Sequence, residues 1–258
     1  MSSTADKIKY IEENLSKFLH SINFTKAVVG LSGGVDSALV AKLAVNVLGK
    51  ENVMAIHMPY DGLTADQNTK DAEDWAKELG ISFEVIEINA FTKPFDSLPW
   101  NASDLASMNS KARVRANILY HYANSHDAIV LGTGNKTESM LGYCTKYGDG
   151  AVDVQPIATL YKTEVWEAAK LLNLPRAIIE KTPTAELVAG QTDEGDIGMS
   201  YAAMDRILKD YELGNGPITD EEISIHKRIQ NNRHKSEMPP VIDCKPWEEP
   251  KMGCCGNC

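Results

Sequence analysis

The 258 residues contain no apolar run long enough to span a bilayer. The first residues, Met1-Ser2-Ser3-Thr4-Ala5-Asp6-Lys7, also lack the apolar core of a signal peptide. Membrane insertion and secretion are set aside, and a cytoplasmic home is expected. Basic residues are few: 26 Lys and Arg stand against 36 Asp and Glu, a formal net charge of -10. That balance opposes a broad interface with a nucleic-acid backbone, although a local basic groove could persist inside an acidic protein. Of five cysteines, Cys144 alone sits mid-chain, while Cys244, Cys254, Cys255 and Cys258 fall late. In a cytosolic chain these are thiols rather than disulfides. There is no internal repeat and no low-complexity segment.

What remains is ordinary for a soluble globular protein, with 43% hydrophobic and 24% charged residues. The length can bury a sizeable core, and nothing demands a second domain. We therefore expect one domain over residues 1–243 and a flexible, cysteine-rich tail over 244–258. Apolar residues at Ile8, Ile11, Leu15, Phe18 and Leu19 predict an N-terminal packing helix. Strands are expected at 27–31, 52–58, 81–88 and 127–132, alternating with helices at 38–48, 65–79 and 109–124. Further helices are expected at 162–172 and 200–211 and from Thr219, which forms a capping box with Glu222. From Met238 the proline-rich end should pack as an irregular strap. The alternation predicts an α/β fold with a doubly wound parallel sheet and right-handed crossovers. In the order 3-2-1-4, strands one and four meet at the topological switch point, where such folds bind ligands.

Two turns should face each other there. The first, Ser32-Gly33-Gly34-Val35-Asp36-Ser37, joins the apolar run Ala27–Leu31 to a helix. A strand, a small-residue turn and a helix N-terminus make an anion cradle, whereas an isolated Ser-Gly-Gly would be only a turn. The common phosphate loop has Lys before its final Ser/Thr; here that place is Asp36. A carboxylate cannot neutralise phosphate, but it can hold a Mg²⁺ that does. The second turn, Thr133-Gly134-Asn135-Lys136-Thr137-Glu138, continues into a stretch rich in Gly, Thr, Lys and Asp up to Ile157. Glu138 could share the metal with Asp36.

The hexapeptide resembles the SGGxDS signature of the N-type ATP pyrophosphatases, of the Rossmann-like, adenine nucleotide alpha hydrolase-like superfamily. The block from Thr133 to Lys162 is more specific. Together with Lys111-Ala112-Arg113, Pro183-Thr184-Ala185-Glu186 and His234-Lys235 it resembles the ammonia-dependent NAD synthetase family, from about Lys7 to Ile242. The resemblance implies a homodimeric ligase. It would adenylate the nicotinate carboxylate of deamido-NAD with ATP, release pyrophosphate, and let ammonia displace AMP. It further implies that Gly30, Leu31, Ser32, Gly33, Gly34, Val35, Asp36 and Ser37, with Thr133, Lys162 and Thr184, contact ATP. Asp36 and Glu138 would bind Mg²⁺. Arg113, Lys146, Asp153, His234 and Lys235 would hold deamido-NAD, with Arg113 serving a site shared across the dimer. Lys162 would stabilise charge on the phosphates. Asp149 is the candidate acceptor for a proton from the nitrogen substrate, and otherwise a turn cap. A glutamine-hydrolysing version would need an amidase domain before residue 1, so ammonia is the expected nitrogen source.

Two features depart from the pattern. Many relatives carry an Arg near the end of strand two, where this chain has His57, so the adenine contact falls to backbone or to His57. Cys255 and Cys258 form a C-x-x-C, which needs further ligands for structural zinc; Cys244 could be a fourth sulfur beside the tail cysteines. Lys111 and Arg115 share a helix face that Arg113 does not. Val188 to Asp196, with two glycines beside Thr184, reads as a lid. The competing readings are a tRNA-modifying enzyme, which would need an RNA-binding module, and a regulator that binds ATP without turnover.

Overall fold

A computed structural model describes residues 3–184 and 192–242. Helix α1 (Thr4–Ser21) leads into strand β1 (Ala27–Gly30), helix α2 (Val35–Leu48), strand β2 (Val53–His57), helix α3 (Asp66–Leu79) and strand β3 (Ser82–Val85). A short turn of helix, α4 (Asn89–Thr92), precedes the long α5 (Asp104–His126), strand β4 (Ile129–Leu131) and α6 (Lys136–Leu141). The described elements that follow are helices: α7 (Lys162–Leu171), α8 (Arg176–Ile179), α9 (Asp193–Ile197), α10 (Tyr201–Glu212) and α11 (Asp220–Asn232). The sheet runs β3-β2-β1-β4 with every pairing parallel, the expected order.

The apolar run of β1 is buried on both faces, which is why it shows no alternation of polar and apolar residues. Its side chains still divide with period two. Ala27, Val29 and Leu31 pack with α1, α2, α3 and α7 through residues such as Leu19, Leu39, Trp75 and Val165. Val28, with Ile56 and Val130 beside it, packs against Val114, Leu119 and Ala123 of α5. The Trp75 indole donates to Ala38 O at 3.0 Å, so its burial strands no polar group. Truncating a wholly buried side chain of this layer, Leu39→Ala for example, should cost ~2–5 kcal/mol. A third cluster, with Leu141, Tyr161, Tyr201, Met204 and Ile225, fastens α10 and α11 to α6 and α7. Among the described residues no helix is long and apolar enough to cross a membrane.

Several boundaries differ from expectation. Asp127 does not begin a strand; at φ 53° it is the left-handed C-cap of α5. At the other end Ser103 accepts from Ala106 N, which starts α5 five residues before the expected Asn109. β3 is confined to the sheet edge, where Val85 stays 46% exposed. The described part of the expected strap, 238–242, does not pack: Met238, Val241 and Ile242 are 88%, 93% and 76% exposed. Val188–Gln191 and the Cys244–Cys258 tail, including the zinc reading, lie outside the described residues. The rest of the expected lid, Thr192–Asp196, falls on the N-cap and body of α9, with Thr192 Oγ1 accepting from Gly195 N.

Candidate active site

The turn after β1 is fastened by its own serines. Ser32 N donates to Ser37 Oγ at 3.1 Å, Ser37 Oγ donates to Gly34 O at 3.0 Å, and Gly34 N donates to Ser32 Oγ at 3.2 Å. Gly33 takes φ +83°, and a Cβ there would collide with the Asn68 carbonyl of α3, so only glycine fits. Lys181 locks the same corner. Its ammonium pairs with Asp71 and donates to Gly33 O at 2.9 Å and Asn68 Oδ1 at 2.6 Å. α1, α5, α6, α10 and α11 begin with a side chain accepting from a backbone N–H, but α2 begins at Gly34 with none. Its N-terminal N–H groups therefore face the cavity with the positive end of the helix dipole, as an anion site requires.

Across the switch point the second turn is the start of α6. Asn135 and Glu138 form a capping box, with Glu138 N donating to Asn135 Oδ1 at 3.0 Å and Asn135 N to Glu138 Oε2 at 3.2 Å. The spare amide of Asn135 then donates to Asp36 Oδ1 at 2.9 Å. Between the two turns lies Lys162, 2% exposed, ion-paired with Asp36 and 3.5 Å from Glu138 Oε1. Buried Asp205 fixes its backbone by accepting from Thr137 Oγ1 and from Thr163 N, while Lys162 N donates to Thr137 Oγ1. Burial and the neighbouring Asp36 charge push the Glu138 carboxyl up to about 8. Burial works against the Lys162 cation, but Asp36 and Glu138 outweigh it and hold the ammonium above its usual range. Asp36 and Glu138 thus share an ammonium, and among the described residues no group of three or more His, Cys, Asp or Glu is arranged to hold a metal ion.

These residues line one cavity of about 650 Å³. Gly30, Leu31, Ser32, Gly34, Val35, Asp36, Ser37, Thr133, Glu138, Lys162 and Thr184 all border it, and Gly33 supports it from behind. The other expected set divides. Arg113, Lys146, His234 and Lys235 line the cavity, linked by Arg113 to Lys146 O, Lys146 to His234 O, and Lys235 to Gly142 O and Cys144 O. Asp153 does not border it; its carboxylate accepts from Val130 N at 2.8 Å and from Tyr120 OH at 3.0 Å. Asp149 lines the cavity and also caps a turn, accepting from Thr145 N at 2.7 Å; burial raises its pKa.

His57 is held by structure. Leu31 O can only accept, so Nδ1 donates to it at 2.8 Å, and Nε2 shares a hydrogen bond with Thr69 Oγ1 at 3.0 Å. Beside it Arg115 donates to Met58 O at 2.9 Å and Lys111 lies 4.3 Å above the Tyr60 ring, so the shared face of α5 meets the end of β2. Asn135, Lys181 and Asp193 also border or brace the site without having been singled out in the sequence. Only Asn135 had a local signal, the N-x-x-E of a capping box.

The sequence model of the NAD synthase family matches residues 7–239. The NH(3)-dependent NAD(+) synthetase of Archaeoglobus fulgidus is 48% identical over 217 residues, covering 84% of this chain and 88% of that protein. That of Pyrococcus furiosus is 40% identical over 249 residues, covering 92% and 93%. Among solved structures, NMN synthetase from Francisella tularensis superposes with a TM-score of 0.86 at 32% identity, covering 94% of this chain and 100% of that one. NH3-dependent NAD synthetase from Campylobacter jejuni, in complex with the nitrate ion, gives a TM-score of 0.81 at 31% identity, with the same coverage.

Proposed function

Because the chain belongs to the NAD synthase family, we infer that it makes NAD from deamido-NAD, ATP and ammonia, with AMP and pyrophosphate released. A carboxylate is a poor acyl donor, so its oxygen must first become part of a phosphoanhydride leaving group. The observation that carries the reading is the meeting of Asp36, Glu138 and Lys162 in front of the uncapped α2 N-terminus.

In this reading Gly30 to Ser37, Thr133 and Thr184 receive ATP, its phosphates against the N–H groups of α2. Lys162 leaves its carboxylate partners for the phosphates and stabilises charge on the departing pyrophosphate. Asp36 and Glu138 would hold Mg²⁺; two carboxylates completed by phosphate oxygens and water are a donor set this ion commonly takes. When bound, the ion would supply further neutralisation of the leaving group. Arg113, Lys146, His234 and Lys235 orient deamido-NAD from the other end of the cavity. Asp153 belongs to that set as a brace on β4, and Asp149 receives a proton from the nitrogen substrate.

Exposed Phe91, Phe95, Trp100 and Leu105 near the start of α5 support a homodimer through that surface. The family match ending at residue 239 supports a catalytic unit to about 243 with 244–258 as an appendage. The purified protein with ATP, Mg²⁺, deamido-NAD and ammonium should yield equal amounts of NAD, AMP and pyrophosphate, and glutamine should not replace ammonium. Failure to form NAD would sink the reading. The likeness to NMN synthetase favours one alternative acceptor, the mononucleotide acid; competition between the two acids decides between them.

A further inference from the structure

Helix α10 grips Lys162 at both ends without itself lining the cavity. At its start the Tyr201 ring lies 5.0 Å from the Lys162 ammonium, and the Tyr201 hydroxyl is fixed by donating to Asp193 Oδ2 at 2.8 Å. One turn on stands Asp205, 1% exposed, whose Oδ1 accepts from Thr137 Oγ1 at 2.5 Å and whose Oδ2 accepts from Thr163 N at 2.9 Å. At the end of the helix Glu212 accepts from Tyr161 OH and from Lys136 Nζ. Positions 201, 205 and 212 are spaced by four and seven, so one face of α10 meets residues 136–137 and 161–163 together.

Asp205 is the centre of this grip. α7 begins after Tyr161, which gives it no side-chain cap, because the phenol turns to Glu212 instead. The first N–H groups of α7 need acceptors where they are buried. Asp205 takes Thr163 N directly and reaches Lys162 N through Thr137 Oγ1, which accepts it at 2.9 Å. It thus caps α7 from another helix. Thr137 immediately precedes Glu138, so the same carboxylate ties down both the lysine and a carboxylate that the lysine faces at 3.5 Å. A buried carboxylate is costly to desolvate, and the packing of α10 does not call for one, since Met204, Ile207 and Leu208 already supply the apolar contact. Two fixed acceptor oxygens are what the spacing between α6 and α7 requires.

We propose that Asp205 is a positioning residue for adenylation: acting through Thr137 and the first turn of α7, it sets where the Lys162 ammonium stands relative to the phosphates. This rests on the reading above, in which Lys162 stabilises the departing pyrophosphate. A misplacement of about 1 Å at such a group is enough to slow a chemical step by roughly 10²-fold. The loop and the cations that bind the two nucleotides lie on other elements and keep their places.

The test is single-turnover pyrophosphate release by the full-length protein with saturating ATP, Mg²⁺ and deamido-NAD. Asp205→Asn keeps the shape but exchanges one acceptor oxygen for a donor. It should slow release by roughly ten- to a hundredfold, with the KM values for ATP and deamido-NAD within about twofold of wild type. In a Lys162→Met background Asp205→Asn should slow release no further, because the group that it positions is gone. Should Asp205→Asn or the double variant fail to fold, Thr137 decides. Thr137→Val, without the bridging hydroxyl, should show the same loss, and Thr137→Ser, which restores it, should recover most of the rate. Losses that multiply with that of Lys162→Met, a Thr137→Ser variant as slow as Thr137→Val, or KM values that rise while the rate holds overturn the proposal. Wild-type protein that releases no pyrophosphate from ATP and deamido-NAD would instead overturn the synthetase reading.

Discussion

The Lys162 ammonium is ion-paired with the Asp36 carboxylate, a residue 126 positions earlier, and this contact joins the turn after β1 to the start of α7. Removing the cation would leave Asp36 and Glu138 facing each other in a buried place. Lys162→Met should therefore lower stability by about 3–5 kcal/mol and the rate of pyrophosphate formation by roughly 10²- to 10³-fold. Chemical denaturation and a pyrophosphate assay read the two effects separately. A variant of wild-type stability would mean that the buried pair contributes little.

Glu138 gives a pH signature. Its carboxyl is pushed from 4.5 up to about 8, so between those values the folded chain binds more protons than the unfolded one. Stability from this group is present in full below pH 4.5 and is lost as pH rises towards 8, at no more than about 1.4 kcal/mol per pH unit. Glu138→Gln, which does not ionise, should match wild type near pH 4.5 and become the more stable protein by pH 8. Thermal unfolding across that range checks it; parallel curves would count against the shift.

Lys181 ties α3 to the Gly33 carbonyl and stands three residues before Thr184. Loosening that corner should harm the nucleotide whose phosphates lie on the loop. Lys181→Met is expected to raise the KM for ATP by roughly tenfold while sparing the KM for deamido-NAD, with Lys181→Arg recovering part of the loss. Steady-state kinetics on both variants test this, and an equal rise for both substrates would reduce Lys181 to a general stabiliser.

Trp100 is 64% exposed, Phe95 45% and Leu105 64%, and the proposed dimer uses this stretch of chain. Trp100→Glu should shift the protein from dimer to monomer in sedimentation velocity. Because Arg113 is expected to serve a shared site, the KM for deamido-NAD should rise as the dimer is lost. A dimer indifferent to the substitution would place the interface elsewhere.

The parts legible in the sequence were those with local patterns. Ala27–Leu31 followed by Ser-Gly-Gly and a helix could hardly be misread, and strand order followed from the βα alternation. Contacts between distant segments had no such signature. The Asn135 amide on Asp36, the Lys181 clamp and the Tyr201–Asp193 bond each depend on the folded path of the chain. The apolar run after Asp127 makes that residue look like the start of a strand, but its short polar side chain tolerates the left-handed turn that ends α5. Asp153 was assigned by resemblance alone, and nothing local signalled that its carboxylate turns back onto the backbone of β4.

The Lys235 ammonium reaches back to Gly142 O and Cys144 O, and the Asn232 amide to Leu141 O. The phosphate end of the cavity is complete once the chain has passed Lys181 and Thr184, whereas its other wall also waits for Arg228, His234 and Lys235 near the end of the described residues. During synthesis on the ribosome the two halves of the site must therefore form in sequence. A nascent chain halted before α11 would carry a finished cradle for ATP and only the Arg113 and Lys146 part of the surface for the molecule to be adenylated.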